Sequence, residues 1–259
     1  MKALVLTYDK YRPLTDHMIC KYRQLWPQHP FTFRVPYQQL AGNDEPEREY
    51  IQSPPDIKNT VLALLDDLDD EEWVYWCIDD KYPANMDVCG LESVMQWIHS
   101  GSNDSVDGIL CCRPKKLMKH KRLTGKLVSS CTGTTLLERK NYKCIWIHQF
   151  LRVKVLRHLF KSFPDEIPNA KVMDKLKGHI GKPEDHRLYV TEQTMAVFGE
   201  STMRGVLTEN CYRSMQDLGL PPPDWHAGEV TESSIHGKMP DRGIRALRQF
   251  FLNPLSRTS

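Results

Sequence analysis

An α/β fold with a mainly parallel central sheet flanked by helices is what this sequence predicts, and three observations carry it. The run Trp73-Val74-Tyr75-Trp76-Cys77-Ile78 is aromatic and branched, and too short for a buried helix. It reads as a central strand covered on both faces. Two adjacent acids, Asp79 and Asp80, end it abruptly, followed by Lys81 and by Pro83, which should stop the strand. Upstream, strand-like and helix-like stretches alternate, and right-handed crossovers make such successive strands parallel.

The chain of 259 residues is 40% apolar, ample for a packed core and suited to one domain over 1–259. Lys and Arg total 35 against 33 Asp and Glu, a net charge of +2, so no global field points to nucleic acid. The eight cysteines form no C-x-x-C pair and no zinc-like spacing with histidine. No stretch approaches the roughly 18 apolar residues of a membrane span. A cytoplasmic protein with reduced thiols is expected.

Ala3–Thr7 is a short buried strand that runs into polar Tyr8 and Asp9. Pro13 opens a helix whose Leu14, Met18, Tyr22 and Leu25 share one face, and Trp26-Pro27 ends it. Phe31–Val35 is the second strand, and residues 41–55, rich in Pro, Gly and acids, read as a loop. Asp56 then caps a helix with Ile57, Val61, Leu64, Leu65 and Leu68 as its stripe. A helix over about 87–99 and a buried strand over Val106–Cys112 follow the central strand.

In the second half, Leu127–Leu137, Cys144–Ile147 and Arg187–Phe198 read as strands, and Phe150–Phe160 as a basic amphipathic helix. Asn169–Leu176 is a shorter helix, and Thr208 caps another. A final basic helix is expected around Ile244, Leu247 and Phe251.

Acids at the carboxyl end of a central strand sit at the crevice where open α/β sheets bind ligands, and their hard oxygens suit Mg²⁺ or Mn²⁺ on a diphosphate. With the β-α-β order before it, Ile78-Asp79-Asp80-Lys81 resembles the D-x-D element of glycosyltransferases of the GT-A fold, of the kind that build bacterial polysaccharides and other glycans. The resemblance covers about the first 110 residues by topology. It implies a hexosyltransferase-like enzyme that takes a sugar from a nucleotide-sugar donor to a glycan acceptor. Residues 1–112 would form the donor half and 113–259 the acceptor half.

By the same resemblance Thr7, Tyr8, Asp9, Tyr37 and Lys58 would meet the nucleotide, and Asp79, Asp80 and Lys81 the diphosphate. The pattern departs from D-x-D in having Lys81 at its last position. A Mn²⁺ or Mg²⁺ ion would be held by Asp79, Asp80 and His236, or Lys81 would meet the diphosphate charge directly. Ile235-His236-Gly237-Lys238 is similar to the late His-Gly-Lys element of some members, with Lys238 on the phosphates.

Asp174, Glu192 and Glu200 are the candidate catalytic bases. Seven Lys or Arg between Arg113 and Lys126 suit an anionic or lipid-linked acceptor, or peripheral contact with a membrane. Two other readings stand beside this one. Asp56, Asp79 and Lys81 are the residue types of a PD-(D/E)xK nuclease, and a chain with Lys81 in its motif could be a nucleotide-sugar-binding module without activity.

Overall fold

The computed structural model describes residues 1–42, 45–101, 105–114, 123–129, 134–167 and 170–237, with only the backbone course for 123–129. The elements are β1 (Lys2–Leu6), α1 (Arg12–Leu25), β2 (Thr32–Tyr37), β3 (Arg48–Gln52), α2 (Ile57–Leu64), β4 (Trp73–Ile78), β5 (Lys81–Met86) and α3 (Val88–His99). There follow β6 (Gly108–Leu110), β7 (Leu123–Ser129), β8 (Thr135–Arg139), β9 (Gln149–Arg152), α4 (Val153–Lys161) and α5 (Ala170–Leu176). The last are β10 (Leu188–Thr191), β11 (Ala196–Glu200), β12 (Thr202–Met203), β13 (Val206–Leu207), α6 (Glu209–Asp217) and β14 (Ile235–His236).

Among the described residues, nine strands form one sheet in the order β3-β2-β1-β4-β9-β6-β10-β8-β7. Only β9 and β8 run against the rest, so the sheet is mainly parallel and β4 lies inside it. Strand alternation sorts the core into two layers. Ala3, Val5, Tyr75 and Cys77 pack with Leu14, Met18 and Tyr22 of α1 and Leu91 and Val94 of α3 on one face. Leu4, Val74, Trp76 and Ile78 pack with Val61 and Leu64 of α2 and Leu156 and Phe160 of α4 on the other. Helices therefore cover both faces, as the two-sided apolar run of β4 requires.

Caps set the helix starts: Asp56 accepts from the Asn59 N–H, Asp87 from Gly90 and Thr208 from Cys211. A second sheet, β14-β11-β5, is antiparallel and stands beside the end of β4.

Several segments differ from the sequence reading. The loop assigned to 41–55 contains β3, a half-buried edge strand parallel to β2. Pro83 stops nothing: β4 ends at Ile78 and Pro83 sits within β5, an edge strand, opposite an irregularity at Val197/Phe198 where its missing N–H is tolerated. Cys144–Ile147 is a turn, closed by Ile147 N–H to the Cys144 carbonyl and by the Gln149 side-chain amide, which donates to the Cys144 and Ile147 carbonyls. The helix expected from Phe150 begins at Val153, because Gln149–Arg152 is a wholly buried strand between β4 and β6. Leu127–Leu137 and Arg187–Phe198 each hold parts of two strands, and β10 and β11 belong to different sheets. The helix expected around Ile244 and most of the basic block, at 115–122, lie outside the described residues.

Candidate functional site

Parallel pairing of β1 and β4 puts Leu6 beside Ile78, so the residues just beyond them, Thr7 and Asp79, emerge together. Thr7 Oγ1 donates to Asp79 Oδ2 at 2.6 Å and receives the Thr15 hydroxyl of α1 at 2.9 Å. Ser201 secures the turn, its Oγ bonding the Asp79 carbonyl at 3.0 Å and its N–H the Asp80 carbonyl at 2.7 Å.

The chain then enters β5 at Lys81, whose register partner on β11 is Glu200. The next strand, β14, pairs His236 with Phe198. Three short strands thus converge on one cluster. Lys81 Nζ lies 3.0 Å from Asp80 Oδ1 and 3.6 Å from Glu200 Oε1, and His236 Nε2 meets the same Glu200 oxygen at 2.6 Å. Gly237 ends β14 at φ +86, where a Cβ would come within 3.1 Å of the Ala196 carbonyl oxygen.

Burial pushes the Asp79 carboxyl up to about 7, with the Asp80 charge adding to it and the Thr7 hydrogen bond and Lys81 opposing it. Glu200 moves the other way. The His236 hydrogen bond holds it below the ordinary glutamate range, against burial and with help from Lys81.

Lys81, Glu200 and His236 line a cleft of about 930 Å³, within the range of roughly 300–1,000 Å³ usual for small-molecule sites. The far wall carries Lys143, Trp146, Asp174 and Lys175. Among the described residues lining it, five are Lys or Arg and two are Asp or Glu.

The candidate residues fall into distinct places. Thr7, Asp79, Asp80, Lys81, Glu200 and His236 come together. Asp174 lines the cleft and is paired with Lys177, whereas the Glu192 side chain is exposed and only its carbonyl bonds Arg113. Asp9 accepts the N–H groups of Gln38, Gln39 and Leu40, which closes the loop after β2. Its carboxyl is lowered because these bonds and Arg12 outweigh burial. Tyr8 stands beside Thr60, its hydroxyl pushed well up by burial and by the Asp56 charge. Tyr37 ends β2, and Lys58 is spent on Asp165 at 2.5 Å and the Phe163 carbonyl at 2.8 Å. Lys238 lies outside the described residues. Asp56 serves as a helix cap and Lys81 faces Asp80 and Glu200, so the nuclease-like set has no shared focus on Lys81.

Thr15, Ser201 and Trp146 were not foreseen. Thr15 had a signal, a polar residue next to Leu14 on the apolar side of α1; Ser201 and Trp146 had none, since strand pairing alone brings them here.

A divalent ion does not fit the donors in this arrangement. Asp79 is bonded to Thr7, Asp80 is paired with Lys81, and His236 is spent on Glu200. Among the described residues, no group of three or more His, Cys, Asp or Glu could hold a metal.

Three solved structures align with most of this chain. TarS residues 1–349 from S. aureus, in complex with UDP-GlcNAc, is 15% identical over 84% of this chain, with a TM-score of 0.47. The chain spans 64% of that fragment, less than two thirds of it. Galactosyltransferase LgtC, in complex with donor and acceptor sugar analogs, is 10% identical, with 93% of this chain and 88% of that one covered and a TM-score of 0.40. The 4-diphosphocytidyl-2C-methyl-D-erythritol synthase of Anaerococcus prevotii is 8% identical, covering 84% and 95%, again at 0.40. No sequence-family model matches the chain, and neither does any curated protein. Among the described residues no helix is long and apolar enough to cross a membrane.

Proposed function

We propose that this protein is a glycosyltransferase that binds a nucleotide-diphosphate sugar in the 930 Å³ cleft and passes the sugar to a hydroxyl of a glycan acceptor. The observation that carries the reading is the cluster Asp80–Lys81–Glu200–His236, set just beyond the carboxyl end of an inner parallel strand and open to a cleft with an excess of basic residues. Ligands of open α/β sheets bind at such strand ends.

In the reaction the bond from the sugar's anomeric carbon to the terminal phosphate oxygen breaks, and its electron pair leaves with the nucleoside diphosphate. The acceptor oxygen bonds to the anomeric carbon, and its proton passes to a carboxylate. Cationic groups already in place lower the energy of the departing charge without reorganising. Among the described residues, Asp174 and Glu200 are the acids lining the cleft, and one of them takes the proton. The basic far wall favours an acceptor that carries phosphate or another anion.

A thermal-shift panel of UDP- and GDP-sugars tests binding, because a ligand at a hundred times its Kd stabilises by about 2.7 kcal/mol. Turnover of whichever donor binds separates an enzyme from a binding module. D174N and E200Q, compared in the same assay, identify the proton acceptor by which of them loses kcat while retaining donor affinity.

A further inference from the structure

Lys81 is 6% exposed, yet it carries a charge into a functional cleft. Burying a lone ammonium is costly, so such a lysine is kept only with partners. Here the partners are Asp80 and Glu200, the first of them an acid that a divalent ion would otherwise draw upon. The lysine is also well placed. It is the first residue of β5, Glu200 faces it across the ladder, and Ser201 bonds both carbonyls of the turn before it. Its charge reaches Asp79, Glu200, Cys112 and His148, all around the end of β4.

A metal ion entering this cluster would have to detach Lys81 from Asp80 and then share the space with a like charge. Nothing in the cleft requires it, because the lining already opposes five Lys or Arg to two acids.

We propose that Lys81 is the built-in cation of the donor site, its ammonium pairing with the diphosphate of the nucleotide sugar in the place a divalent metal would take. This rests on the donor reading given above. Asp80, at 3.0 Å, then acts as the positioning residue that holds the ammonium in the cleft. A compact point charge on a buried stem suits a phosphate that must be bound and later released.

The experiment is calorimetric titration of the full chain with UDP, GDP and CDP, each in EDTA and again in Mn²⁺ or Mg²⁺. The expected result is that the nucleotide that binds does so in EDTA with a Kd within about twofold of its value in metal. K81M should weaken that Kd by about tenfold or more, the loss of one charge-assisted contact, with K81R recovering part of it. Circular dichroism of each variant checks the fold, and the wild-type comparison stands without the variants. Binding that appears only with metal overturns the inference and leaves the donor reading intact. K81M binding as tightly as wild type also overturns it. If none of the three nucleotides binds under any condition, the donor reading falls first and this inference with it.

Discussion

Glu200 accepts a 2.6 Å hydrogen bond from His236, 36 residues further along the chain, and the pair fastens β14 to the acids at the end of β4 through Lys81. The bond is the first cause of the lowered Glu200 carboxyl. A carboxylate lowered by folding stabilises the fold above its unfolded pKa, and that contribution is lost as pH falls through the folded value. In H236A the carboxyl-carbon titration of Glu200 should therefore move up toward 4.5, its unperturbed value, and less stability should be lost in acid. An unmoved midpoint would mean that the pair is not formed in solution.

Asp79 has the opposite sign. Its carboxyl is raised from 3.8 to about 7, so the fold binds a proton that the unfolded chain has released, and stability falls as pH rises through that window. Each unit is worth about 1.4 kcal/mol, which gives a ceiling of about 4 kcal/mol above pH 7. D79N, which mimics the neutral acid, should be more stable than wild type at pH 8, with the gap closing toward pH 4. Urea unfolding at the two pH values measures it.

A third expectation concerns the frame of the site. A Cβ on Gly199 would come within 2.5 Å of the Tyr82 ring, which is itself buried in the core. Overpacking of this kind costs about 1–3 kcal/mol. G199A should lower the unfolding free energy measured in urea by that amount and also weaken donor binding, because Gly199 precedes Glu200 on β11.

The first half of the chain was legible because its elements announce themselves locally. Trp73–Ile78 is a strand of those bounds, and Asp56 caps its helix, as Thr208 does in the second half. The site was half legible. Asp79, Asp80 and His236 could be singled out as residue types in a pattern, but the pairing of Lys81 with Glu200 depends on β5, which Pro83 concealed. Gln149–Arg152 was absorbed into the helix that follows it, since four buried residues have no period of their own. Long-range antiparallel pairing leaves no trace in spacing, and that is why the cleft's far wall, Lys143, Trp146 and Lys175, was not foreseen.

That wall yields a fourth expectation. Lys143 and Lys175 are exposed on the cleft and sit where an anionic acceptor would pass. K143E/K175E should bind inorganic polyphosphate more weakly than wild type, with a shallower salt dependence, and should bind the donor nucleotide as before. Equal polyphosphate affinity would remove the anionic acceptor from the account.

The central claim is that the acids after β4 serve a nucleotide-sugar donor, and the most direct test is release of nucleoside diphosphate from a panel of UDP- and GDP-sugars by wild type and by D80N. The account predicts that wild type binds and consumes at least one donor, and that folded D80N loses at least about tenfold in kcat/KM as Lys81 loses its nearest carboxylate. Donor consumption by D80N equal to wild type, or no binding of any donor by the wild-type chain, would contradict it.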